Sequence, residues 1–174
     1  MHRRFAAFAA TAVAVFLGLA CSPANVGSND AGPSADQACT DDAYARCTRQ
    51  QACSPNTAIQ LRYGDIGTCE SLVKANCLAV LAAPSTGATV AGIEACVTAI
   101  NNWDCPDYIL SQNPPPECQQ AIGSLAAGAG CAYPQQCQTG FCAIVPGQAC
   151  GACAAPPQPG DNCAELTSCG QALS

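Results

Sequence analysis

The longest apolar run of the chain spans residues 5–20 and directly follows the basic residues Arg3 and Arg4. The run has 16 residues, whereas a helix needs about 20 apolar residues to cross a bilayer. Small residues, Gly18 and Ala20, stand three and one positions before Cys21, as signal peptidases require. The pattern therefore predicts a signal peptide over residues 1–20, with a retained membrane anchor as the alternative.

Polar and small residues dominate the next segment, residues 22–37, which is rich in Pro, Gly, Ser, Asn and Asp. Such a composition buries too little apolar surface to offset the entropy lost on ordering the chain. We therefore expect residues 21–37 to form a disordered tether that begins with Cys21.

Helical patterns follow the tether. Thr40 is a suitable N-cap for a first helix, which Pro55 ends. Thr68 is a suitable N-cap for a second helix over residues 69–83, which ends before Pro84.

A third helix is predicted to begin after Thr89 and to cover residues 90–100, and a short fourth helix is predicted to begin at Pro106. These elements define a helical, cysteine-rich module over residues 38–120.

Cysteines are the most informative residues of the chain. All 16 follow residue 20 and make up about a tenth of that part, a level typical of exported disulfide scaffolds. Eight of them lie in the helical module: Cys39, Cys47, Cys53, Cys69, Cys77, Cys96, Cys105 and Cys118.

Two cysteine pairs share one spacing, since Cys39 and Cys47 on the first helix are as far apart in sequence as Cys69 and Cys77 on the second. Eight residues of helix rise about 12 Å, so an antiparallel hairpin could bridge Cys39 to Cys77 and Cys47 to Cys69. The arrangement resembles twin-cysteine helical hairpins, in which the spacing is usually nine. Eight cysteines allow about 105 connectivities, and the sequence leaves the others open.

A second module, over residues 131–174, follows an Ala/Gly-rich stretch that predicts a flexible linker at residues 121–130. Seven cysteines lie in it: Cys131, Cys137, Cys142, Cys150, Cys153, Cys163 and Cys169. The motif around Cys131 recurs 32 residues later at Cys163, and Ser174 stands where the repeat predicts another cysteine. We therefore expect a truncated repeat module with one unpaired cysteine. The predicted fold is small and disulfide-rich, with a mainly α N-terminal module of three or four short helices and an irregular, loop-rich C-terminal module.

The residues before Cys21, Gly18-Leu19-Ala20, resemble the lipobox of bacterial lipoproteins, although Gly18 stands where that family usually has Leu, Val or Ile. The resemblance implies that Cys21 carries a diacylglycerol and an acylated amine, and several acyl chains hold a protein firmly on a bilayer. Ser22, by resemblance to enteric lipoproteins, favours the outer membrane or cell surface of a Gram-negative bacterium. Without lipidation the protein would be periplasmic or secreted.

The second module carries a further resemblance. GAGCAYPQQCQTGFC, followed by CGAC and GDNC, is similar to the cysteine-rich repeats of Dickkopf-like domains. The whole chain is similar to predicted cysteine-rich lipoproteins of Gram-negative bacteria, a resemblance that implies surface exposure and carries no functional residues over.

Charge and histidine content exclude several functions. Loss of Arg3 and Arg4 with the signal peptide changes the net charge from −6 to −8, which argues against nucleic-acid binding. The single histidine, His2, is lost as well, so the mature chain has no imidazole for Ser-His-Asp or Cys-His catalysis or for a histidine-ligated metal. We predict no cofactor and no metal.

Two local motifs could carry chemistry. Cys150 and Cys153 form a C-x-x-C pair, the spacing of thiol oxidoreductases and zinc sites, but no helix is predicted after it to lower a thiol pKa. Asp104 and Asp107 could act as acid and base, although acids at a helix start also favour the dipole. Five aromatic residues are candidate contacts for a partner: Tyr63, Trp103, Tyr108, Tyr133 and Phe141.

The sequence as a whole predicts a lipid-anchored, non-enzymatic binding or envelope-structural protein with an unidentified protein or glycan partner. The alternative is a periplasmic thiol-redox or metal-handling protein that uses Cys150 and Cys153. A hydrolase that uses carboxylates alone is a third possibility.

Overall fold

Helices form the first half of the computed structural model, which describes residues 32–55 and 57–158. Five α-helices lie in this part of the chain: α1 Ala35–Cys53, α2 Ala58–Tyr63, α3 Ile66–Ala82, α4 Val90–Ile100 and α5 Cys105–Leu110. A short 3₁₀ turn, Pro116–Cys118, follows them. None of the helices described is both long enough and apolar enough to cross a bilayer. The predicted signal peptide and Cys21 lie outside the described residues.

Short polar side chains cap the starts of the three longer helices, α1, α3 and α4. Ser34 caps α1 by accepting a hydrogen bond from the Gln37 amide at 3.1 Å, so the helix begins within the segment predicted as tether. Thr40, the expected cap, instead donates its hydroxyl to the Asp36 carbonyl inside the helix. Thr89 caps α4 as predicted.

Helix α3 likewise begins earlier than expected. Its cap is Asp65, whose carboxylate accepts from the Thr68 amide at 2.8 Å. That hydrogen bond lowers the pKa of Asp65 because it favours the charged carboxylate.

Disulfides join the helices to one another. The described residues contain six such bridges: Cys39–Cys77, Cys47–Cys69, Cys53–Cys105, Cys96–Cys118, Cys131–Cys142 and Cys137–Cys153. The first two confirm the antiparallel pairing of α1 and α3 that the matched cysteine spacing predicts. Cys150 is disulfide-bonded as well, and no described cysteine is free. Cys163 and Cys169 lie outside the described residues, so the predicted unpaired cysteine is not among those described.

The C-terminal part is irregular apart from a small antiparallel sheet. Its strands are β1 Gly130–Cys131, β2 Cys142–Ala143 and β3 Gly151–Cys153, with β3 in the centre. The disulfide-rich fold with a helical N-terminal part and a loop-rich C-terminal part is therefore confirmed.

Sulfur atoms replace large side chains in the core. One cluster consists of Cys131, Cys137, Cys142 and Cys153, all buried. A second joins Ala45, Ile100 and Trp103, and Ile100 is the only aliphatic residue larger than cysteine that is fully buried among those described. Because so little hydrocarbon is buried, the bridges must supply much of the stability.

The stretch at residues 121–130 differs from the flexible linker that its composition predicts. The Ser124 amide donates to the Ser85 carbonyl of the α3–α4 loop, and the Gly123 amide donates to the Cys137 carbonyl of the C-terminal part. A Cβ at Gly123 would lie 2.2 Å from the Gln136 carbonyl oxygen and 2.4 Å from that of Ser85. The glycine therefore permits close backbone packing and does not provide a hinge.

A buried glutamine completes this junction. Gln136 is 3% exposed, and its side-chain oxygen accepts hydrogen bonds from the amides of Ala132 and Tyr133. Its side-chain nitrogen donates to the Pro84 carbonyl at 2.9 Å. One buried, hydrogen-bonded polar side chain thus ties the C-terminal part to the end of α3.

Candidate functional site

The C-x-x-C pair is divided between two bridges. Cys153, which is 2% exposed, is bonded to Cys137, and Cys150 is bonded to a cysteine other than Cys153. The Sγ atoms of Cys131, Cys137 and Cys153 lie within 4.8 Å of one another. All three belong to disulfides, whereas a metal ligand must be a thiolate, so in this state the cluster is part of the core.

The two candidate carboxylates lie at the start of α5. Asp104 occupies the N-cap position and Asp107 the first turn, where negative charge favours the helix dipole. Asp107 also accepts a hydrogen bond from the Asn113 side chain at 3.1 Å. Both positions have a structural explanation.

The aromatic residues near α5 are held by backbone hydrogen bonds. Trp103 donates its indole N–H to the Gln112 carbonyl at 2.8 Å, and Tyr108 donates its hydroxyl to the Arg46 carbonyl at 2.8 Å. The two rings meet edge to face at 5.2 Å. Burial raises the pKa of Tyr108 from 10.0 to about 12, so its hydroxyl is a neutral donor at physiological pH.

A groove of about 620 Å³ lies beside these aromatic residues, between α1, α3, α4 and the segment 117–121. Its size is within the range of small-molecule and short-peptide sites. Apolar side chains of α3 and α4 form much of the lining, among them Leu72, Val73, Val80 and Ile93. A smaller cavity of about 260 Å³ adjoins it and shares Arg46, Arg62, Tyr63 and Val73.

Disulfides form part of the groove wall. Cys77, Cys96 and Cys118 line it, and their bridges fasten α3 to α1 and α4 to the segment after α5. The covalent links fix the separation of the walls before any ligand arrives, which lowers the entropy cost of binding.

Two arginines contribute to the groove, and their charges are compensated differently. Arg46 pairs with Asp42 at 2.7 Å and places a second nitrogen 3.7 Å from the Cys96 sulfur. The Arg62 guanidinium lies over the Tyr63 ring, 5.6 Å from its centroid. Within the described residues Arg62 forms no ion pair.

The other cations are engaged elsewhere. Lys74 pairs with Asp36 at 2.8 Å, and Arg49 donates a hydrogen bond to the Trp103 carbonyl. Arg62, which is exposed, is therefore the cation of the groove that has no acidic partner among the described residues.

Gln135 also lines the groove. The side-chain oxygen of Gln135 is inaccessible to solvent and has no hydrogen-bond partner within the described residues. An unpaired buried acceptor costs about 1–3 kcal/mol, and because this atom is closed to solvent it is not a contact point for a ligand in the groove.

No family model, curated protein or solved structure matches the chain. The resemblance to cysteine-rich lipoproteins and to Dickkopf-like repeats thus stays a prediction. The function has to be argued from the site itself.

The structure separates the five candidate contact aromatics. Tyr63 lines the groove, while Trp103 and Tyr108 line only the adjoining cavity. Tyr133 and Phe141 belong to the C-terminal part, and Phe141 is buried. The sequence did not point to Arg62 or Gln135, and the only available signal was that Arg62 is one of four cations after residue 20, in an otherwise acidic stretch.

Proposed function

We propose that the protein is a lipid-anchored binding module of the bacterial envelope and that its ligand binds in the groove between α1, α3 and α4. The groove carries this proposal, because it places apolar side chains beside polar groups in similar measure, with walls joined by disulfides and with a guanidinium that has no acidic partner in the described chain. Ligand sites typically place a few convergent polar groups among apolar side chains.

The disulfides and the N-terminal sequence pattern support the proposed location. Six bridges among the described residues fit an exported protein. We place the lipid on Cys21 and the protein at the outer membrane or cell surface, with a binding role and no catalysis. A thiol-redox or metal-handling role is not favoured, since Cys150 and Cys153 belong to separate bridges.

The anchor can be tested by the intact mass of protein purified from Gram-negative membranes and alkylated without reduction. We expect a mass that shows acylated Cys21 and at most one alkylated thiol. Cys21→Ser should move the protein from the membrane to the soluble fraction, because the acyl chains provide the membrane affinity. Membrane retention of Cys21→Ser, or several alkylated thiols, would contradict the proposed anchor and the structural role of the cysteines.

The groove can be tested by filling it. Asn76 is exposed on α3 and lines the groove, so Asn76→Trp should occupy the ligand volume without disturbing the core. Its neighbour Ala75 is also exposed but does not line the groove, which makes Ala75→Trp the matched control.

The probe for this test is a phage library of random short peptides, selected against the purified mature protein with its bridges intact. We expect sequences that are enriched on the wild type and on Ala75→Trp but lost on Asn76→Trp. Equal enrichment on both tryptophan variants, or no enrichment over empty support, would refute the groove as the binding site.

A further inference from the structure

The chemistry of the groove also indicates the class of ligand. We propose that it binds a peptide segment with one acidic side chain next to apolar residues, and that Arg62 receives the carboxylate. This inference rests on the proposed function and deepens it.

Arg62 is suited to this role by its position and its surroundings. It lies at the boundary of the groove and the adjoining cavity and lines both. Its contact with the Tyr63 ring orients the planar guanidinium without consuming its hydrogen-bond donors. Guanidinium groups bind carboxylates through two parallel hydrogen bonds, so an incoming carboxylate would find a preoriented partner.

The other lining groups match a peptide. Leu72 and Val73 offer apolar contacts beside Arg62, while Asn76 offers an amide. A peptide supplies the groups that match this lining: apolar side chains, a backbone amide for Asn76 and a carboxylate for Arg62.

Sugars and phosphates fit the same lining less well. A sugar ring needs an exposed aromatic face on which to pack its C–H groups, but Tyr63 is covered by Arg62 on one side and packs against the Cys47, Ile59 and Cys69 cluster. A phosphate carries nearly two charges, whereas Arg62 is the one groove cation in the described chain that lacks an acidic partner.

Glu117 limits the number of acidic residues in the ligand. Its side chain also lines the groove, and a second carboxylate there would be repelled. The ligand is therefore expected to carry a single acid and not a polyacidic run.

The selection described above, repeated on Arg62→Gln and Lys74→Gln, tests this proposal. Lys74→Gln removes a positive charge from α3 outside the groove and is the matched control. We expect the peptides enriched on the wild type to share one Asp or Glu flanked by apolar residues. Their affinity should fall about tenfold on Arg62→Gln and stay unchanged on Lys74→Gln.

The outcomes separate this proposal from the one on which it rests. Groove-dependent peptides without an acid, or acidic peptides that bind Arg62→Gln as well as the wild type, would overturn the ligand class and leave the binding function standing. Loss of affinity on Lys74→Gln to the same extent would show general electrostatic attraction, which also overturns it. If no selected peptide lost binding on Asn76→Trp, both the ligand class and the groove as the binding site would be refuted.

Discussion

Removal of the Cys39–Cys77 bridge by the double substitution Cys39→Ala and Cys77→Ala should lower the free energy of unfolding by about 3 kcal/mol, because Cys47–Cys69 remains and the loop that Cys39–Cys77 closes is then shorter than its sequence separation of 38. The remaining core cannot compensate, because Ile100 is its only fully buried large aliphatic side chain among the residues described. Stabilities of small proteins are about 5–15 kcal/mol, so much of the total would be lost. Guanidinium denaturation followed by far-UV circular dichroism measures the change.

The Cys131–Cys142 bridge of the C-terminal part provides a comparison, because it joins cysteines only 11 residues apart. The same relation gives about 3 kcal/mol for it, and hydrogen exchange of β1–β3 reports the loss locally. If the double substitution Cys39→Ala and Cys77→Ala lowered the free energy of unfolding by less than about 1 kcal/mol, the view that the bridges replace a hydrophobic core would be refuted.

Gly123→Ala should destabilise the protein by about 3 kcal/mol, the upper part of the usual range for overpacking. The added methyl group would lie 2.2 Å from the Gln136 carbonyl oxygen and 2.4 Å from that of Ser85. Backbone atoms cannot turn aside as a flexible side chain can, so the junction itself must open. Hydrogen exchange should show faster exchange at the Ser124 and Leu125 amides, which bond across this junction.

Gly67→Ala is the control for this substitution. Gly67 lies in the first turn of α3, and a methyl group there would approach only the Asp65 carboxylate, at 3.3 Å. Alanine favours a helix over glycine by about 1 kcal/mol, so the stability should stay equal or rise slightly. Equal losses for Gly67→Ala and Gly123→Ala would show that the junction is not tightly packed.

The helical hairpin could be predicted from the sequence because its information is local. Matched spacing of Cys39 and Cys47 with Cys69 and Cys77, together with the rise of a helix, determines which cysteines can meet. Capping was predicted less well, since Ser34 competes with Thr40 and Asp65 with Thr68, and each of the four can accept a backbone hydrogen bond.

The junction and the groove depend on tertiary packing and could not be predicted in the same way. Composition alone cannot distinguish a glycine that gives freedom from one that permits close approach, and Gly123 is of the second kind. Arg62 lies on α2, a helix of six residues that the sequence pattern does not predict. Its importance depends on which acids lie near each cation, and those distances exist only in the folded chain.

The two bridges between α1 and α3 also affect how the protein withstands proteolysis. The segment between these helices, residues 54–65, contains the highly exposed Leu61, and exposed connecting segments are favoured cleavage sites. A cut there would leave both helices covalently joined through Cys39–Cys77 and Cys47–Cys69. The groove walls on α1 and α3 would stay connected after such a cut, so a loss of binding in the nicked molecule would be traced to α2, which carries Arg62.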